Sequence, residues 1–197
     1  MITLPIILLL FLLALKAKPL FQKYSQWLYL CFIALAVISY LNINTLLFTP
    51  IKSGYLGLAF FYVVMIVGAM PLKQKQPKEN PLRRDYSILG FITITPHALF
   101  YITQASNGEI KPAIFGILAY LIMIPLFITS FPIIRHKMRE KNWKKLQQFA
   151  YLSYLFLFVH LLINSDGINL ILYIILFSFY FVLKTIKVIR QKKSLEI

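Results

Sequence analysis

The chain has 197 residues, 59% of them hydrophobic and 16% aromatic, with a mean hydropathy of +0.74. Its 21 basic and six acidic residues cannot cover a soluble domain this rich in Phe, Ile and Leu. The composition therefore excludes a water-soluble globular enzyme and points to one polytopic, all-α membrane bundle with no room for a second domain. The formal charge of +15 calls for no nucleic acid, because basic loops beside a membrane act as topology signals and anionic-lipid contacts. The one cysteine, Cys31, lies in an apolar run and reads as a packing residue, which excludes an internal disulfide and a thiolate-ligated iron–sulfur cluster.

In chain order, residues 2–15 form a short apolar stretch with no Lys or Arg before it and no small-residue cleavage site after it. We read it as an uncleaved span with its N-terminus outside, a cytoplasmic surface helix being the alternative. Together with the basic loop that follows, it makes an N-terminal segment, 1–26. Spanning helices, which need roughly 17–25 apolar residues, are expected at 27–48, 54–72, 86–105, 113–134, 147–164 and 168–188. They form a six-helix transmembrane domain over 27–190, followed by a tail, 191–197. The polar connection 73–85 contains Pro77 and Pro81, which are expected to keep it out of a helix.

Basic residues follow the first, third, fifth and seventh stretches, and all 21 except Lys52 and Lys111 fall on one side of the resulting topology. The positive-inside rule makes that side, and the C-terminus, cytoplasmic.

Of the three histidines, His136 lies in a basic loop, whereas His97 and His160 fall inside the fourth and sixth spans. An imidazole in hydrocarbon is costly unless its ring nitrogens are engaged. His97 lies about 12 residues into its helix, ~18 Å at 1.5 Å per residue, and His160 about 13 residues in, ~20 Å. Both helices run in the same direction, so the two rings reach the same height in the outer half of the bilayer. A haem iron between them explains that match. Hydrogen bonding between helices and a proton or ion pathway are the alternatives. A bare metal ion lacks further ligands in the spans.

The run 129–162, TSFPIIRHKMREKNWKKLQQFAYLSYLFLFVHLL, resembles ferric-reductase-like transmembrane haem proteins, and among them the MsrQ (YedZ) haem subunits. The pattern there is Thr-Ser, a basic loop, Trp-x-x-Leu-His, a Tyr and a second His. It falls on Thr129, Ser130, 135–141, Trp143, Leu146, Gln147, Tyr151 and His160. Upstream, Arg83, Arg84, Leu89, Gly90, His97 and Tyr101 match a second motif, and the likeness extends over about 54–188.

The resemblance implies a ferric-reductase-like bundle with one haem b, His97 and His160 being the axial ligands of its iron. It also implies an inner carrier, FMN or a quinone, and Arg83, Arg84 and Trp143 are candidates for that inner cofactor region. Two-haem relatives carry inner ligands at the positions of Gln147 and Arg83, and both are absent here. The implied role is electron transfer in the bacterial inner membrane, from a quinol or a cytosolic flavin reductase to a periplasmic molybdopterin-dependent methionine sulfoxide reductase subunit. The chain itself would hold no NAD or FAD. A haem-free transporter or scaffold with structural histidines is the competing expectation.

Overall fold

The computed structural model describes residues 3–16, 18–42, 44–70 and 81–193. Among them the chain is almost wholly helical: α1 (Thr3–Lys16), α2 (Lys18–Leu41), α3 (Thr49–Lys52), α4 (Tyr55–Ala69), α5 (Pro81–Ser106), α6 (Ile114–Ile128), α7 (Pro132–Arg135), α8 (Glu140–Asn164) and α9 (Gly167–Lys193). The surface is apolar, with Trp27 69% and Ile175 59% exposed, as a bundle solvated by lipid requires.

Helix α4 is the centre of the bundle. It is apolar all round and buried almost throughout, the pattern of a helix enclosed by others. Phe60 packs edge-on against Phe32 of α2 and Tyr86 of α5, at 5.8 and 5.3 Å between ring centroids. Tyr62 donates to the Leu176 carbonyl of α9 at 2.9 Å. Helix α1 joins this core through Ile7, Leu10 and Ala14. Near its start, Thr3 hydrogen-bonds Tyr173 at 3.4 Å, and further along its Leu10 carbonyl accepts from Tyr86 at 3.0 Å. It is thus a bundle member rather than a surface helix.

By length and apolarity alone, α2, α5, α8 and α9 can each cross a membrane. A fifth span results if the segment 46–52 and α4, bent by 42°, are counted as one. Helix α6, with 15 residues, is only ~22 Å long and packs along α8.

Several expected boundaries move. The span placed at 27–48 stops at Leu41, where the Asn42 side chain turns back to the Ile38 carbonyl at 3.0 Å. Leu46–Phe48, a 3-10 turn, then leads into α3 and α4. The span placed at 113–134 breaks after Ile128. There the Thr129 and Ser130 hydroxyls bond back to the Pro125 and Leu126 carbonyls, each at 2.7 Å, and Pro132 opens a new turn.

Helix α8 begins at Glu140, two turns before the apolar stretch. Helix α5 begins at Pro81. The expectation that Pro81 would oppose a helix was wrong. A proline in the first turn lacks only an N–H that would have had no intrahelical partner. Pro77 lies outside the described residues, and α5 runs through Pro96 as one helix.

Candidate functional site

His97 of α5 and His160 of α8 line the same cavity, about 530 Å³ in volume, within the range of cofactor-sized sites. It opens at the end of the bundle opposite the basic loops, between α4, α5, α6, α8 and α9. Tyr101, Tyr120, Lys111, Asn164 and Asp166 also border it.

Each ring is seated against a glycine. A methyl group on Gly54 would stand 3.3 Å from the His97 Cγ and Cδ2, and one on Gly116 of α6 would stand 2.9 Å from the His160 Cε1 and Nδ1. Gly54 also has φ +74°, a left-handed conformation that suits glycine and starts α4 in its bent direction.

The His97 Nδ1 lies 2.6 Å from the Lys52 carbonyl. A carbonyl only accepts, so Nδ1 carries a proton, and in the neutral ring Nε2 then keeps its lone pair. This is the arrangement by which a second partner orients a metal-ligating histidine. Tyr101 stacks obliquely on the His97 ring at 4.9 Å.

His160 is held differently. The Asn164 amide nitrogen donates to the His160 carbonyl at 2.8 Å and to its Nδ1 at 3.2 Å. Ligation through the His160 Nε2 would therefore require the proton to shift to Nδ1 and the Asn164 amide to turn its oxygen toward it. Among the described residues no cluster of three or more His, Cys, Asp or Glu comes together. A haem, which brings further iron ligands of its own, would need from the chain only the imidazoles of His97 and His160.

The inner-end residues meet around a second cavity of about 460 Å³. Arg83, Arg84 and Trp143 line it, as do Gln147, Ser130 and Lys144. Arg83 and Gln147 thus border one space and offer it a guanidinium and an amide.

The motif over 129–147 has a physical basis. Trp143 donates its indole N–H to the Thr129 carbonyl at 3.2 Å, Gln147 reaches the Thr129 hydroxyl at 3.4 Å, and the Arg135 guanidinium lies 4.3 Å from the Trp143 ring. Arg84 is paired through Nε with the buried Asp85 at 2.9 Å, and Tyr29 donates to the same carboxylate oxygen at 2.7 Å.

Sequence reasoning missed Gly54, Gly116, Asn164 and Lys52. Nothing local marks either glycine as the seat of a ring from another helix.

Comparison with known proteins agrees with this architecture. The family model described as "Ferric reductase like transmembrane component" matches residues 53–158, a little over half of the chain. That stretch runs from the Gly54 turn almost to His160. A Treponema pallidum (strain Nichols) protein described as "Uncharacterized protein" is 25% identical over 166 residues, covering 74% of this chain and 46% of its own length. The chain thus spans about half the length of that relative. No solved structure matches. The chain is a multi-pass membrane protein and belongs to the ferric-reductase-like transmembrane family.

Proposed function

We propose that this protein is a membrane electron-transfer subunit of the MsrQ type, with one haem b ligated by His97 and His160. The observation that carries the reading is the shared cavity with His97 locked as its Nδ1–H tautomer, its Nε2 lone pair free for a metal. When bound, a haem supplies one-electron chemistry. The chain's part is to hold the two imidazoles on one cavity, to orient His97 through Lys52, and to keep both rings among apolar side chains.

On the positive-inside rule the basic end is cytoplasmic, which in a bacterial inner membrane would put the histidine end at the periplasm. On this reading the donor is a quinol or a cytosolic flavin reductase. The cavity at Arg83, Arg84 and Trp143 is the place for FMN or a quinone. The acceptor is a periplasmic molybdopterin-dependent methionine sulfoxide reductase subunit. It would dock on the short segments 42–53, 105–112 and 164–169, which fit a small, transient redox contact.

The test is a reduced-minus-oxidised visible spectrum of the purified protein and of its His97→Ala and His160→Ala variants. A sharp low-spin spectrum lost in both variants is expected, and an unchanged spectrum in either overturns the assignment.

A second reading, a haem-free scaffold or transporter, is favoured by one observation. The His160 Nδ1 already accepts from the Asn164 amide, an arrangement that puts the ring proton on Nε2. Absence of any Soret band after expression with ample haem would select it.

A further inference from the structure

We propose that the basic end of the bundle holds a specific site for the phosphate of an anionic phospholipid, formed by Arg83 of α5 and by Lys184 and Lys187 of α9. Arg83 and Lys187 meet at the last turn of α4. Lys187 donates from Nζ to the Gly68 carbonyl at 2.8 Å, and a methyl group on Gly68 would stand 3.1 Å from the Cζ and Nη2 of Arg83. One turn along α9, Lys184 donates to the Tyr151 hydroxyl of α8 at 2.7 Å, its Nζ 4.5 Å from that ring's centroid.

Three like charges are thereby drawn together, and Lys184 and Lys187, three residues apart, share one helix face. Among the described residues no carboxylate is paired with any of them. Asp85 is taken by Arg84 and Tyr29, Glu140 pairs with Lys144 at 2.8 Å, Glu109 accepts from Asn107 at 3.2 Å, and Asp166 is at the other cavity. The partners they do have, a carbonyl and a phenol, orient the cations without neutralising them. Each lysine keeps two further N–H donors, and the guanidinium has five in all. A phosphate diester supplies the missing charge and the acceptors.

The surroundings specify a lipid as its source. Phe181 and Val188 on α9, 49% and 42% exposed, and the half-exposed Tyr151 on α8 flank the cluster with an apolar surface fit for acyl chains. Basic clefts between helix ends on this side of a membrane are suited to anionic headgroups. Arg83 and Tyr151 also border the second cavity, so this site adjoins the one proposed for the inner carrier, and it does not depend on the haem assignment.

The experiment is a titration of the full-length protein, delipidated in neutral detergent, with phosphatidylglycerol. Bound lipid is counted by native mass spectrometry. Phosphatidylcholine and inorganic phosphate serve as the other two arms. Retention of phosphatidylglycerol over phosphatidylcholine is expected, weakened roughly thirtyfold in a K184Q/K187Q variant, the loss due to two interfacial lysines. A K184R/K187R variant should bind as the wild type does. K141Q/K145Q, which removes the same charge elsewhere on this end, should also keep its lipid.

Undiminished binding by K184Q/K187Q overturns the proposal, as does an equal loss in K141Q/K145Q. Inorganic phosphate competing off the lipid at comparable concentration would overturn it too, by making the site one for a soluble anion.

Discussion

Gly116→Ala is the sharpest test of how His160 is held. The added methyl group would lie 2.9 Å from two atoms of the imidazole, where ordinary contact begins at 3.4 Å, an overlap of about half an ångström. The ring cannot yield as the end of a long flexible chain would, because it is tied to Asn164 on the same helix. Overpacking of this kind costs about 1–3 kcal/mol. Replacing a helical glycine by alanine returns about 1 kcal/mol. The bundle should therefore melt within a few degrees of the wild type while the strain falls on the ring. Functional groups tolerate displacements of only about 0.5 Å from working geometry. Haem affinity should then fall roughly tenfold or more, each factor of ten being about 1.4 kcal/mol. The assay is a haem titration into apoprotein in detergent, read at the Soret band, with Gly68→Ala as the control. At Gly68 the neighbour is the far end of the long Arg83 side chain, so that variant should bind haem normally. Wild-type affinity and spectrum in Gly116→Ala would refute the reasoning.

Three further outcomes follow from the same geometry. Haem-to-protein stoichiometry by pyridine haemochrome should be close to one, since Arg83 and Gln147 offer no axial ligand; a value of two would show the ligands misplaced. Asp85→Ala should destabilise the bundle by about 1–3 kcal/mol, because it strips the acceptor from the Tyr29 hydroxyl and the partly exposed Arg84. An unchanged melting curve would contradict that. In a Cys31→Ser background, single cysteines at Asn107 and Ser165 should react with an impermeant reagent from outside whole cells, and one at Asn142 should not. The opposite pattern would invert the bundle and remove the route to a periplasmic acceptor.

What was legible in the sequence was what depends on apolar length and on rare residues. His97 and His160 stood out because an imidazole in hydrocarbon is costly, and counting residues along parallel helices placed them at one height. Both do line one cavity. Helix ends were less legible, because hydropathy marks where lipid touches the chain, not where a helix begins. Glu140–Leu146 and Pro81–Asp85 are polar yet helical, extending past the hydrocarbon into the basic end. The partners of each histidine could not be read at all. Gly116 acts on a ring 44 positions away, and Lys52 through a main-chain carbonyl that no side chain announces.

The contrast between the two cavities carries the argument about how the bundle can conduct. An iron needs a lone pair, which an imidazole provides and a guanidinium does not, while a carboxamide is a poor donor. The end that holds His97 and His160 can therefore hold a metal-centred group. The end that holds Arg83 and Gln147 can hold an organic or anionic one, and the two are not interchangeable. They are also close together. Phe61 and Met123 border both spaces, so side chains rather than a whole helix divide them. Against that divide Phe91 stacks on Tyr120 and on Phe127, at 5.3 and 4.3 Å. Electrons entering at the basic end would otherwise cross roughly half of a ~30 Å hydrocarbon core in one step. A carrier in the second cavity shortens that step to the thickness of this aromatic layer, which is why an inner carrier distinct from haem belongs to the proposed function.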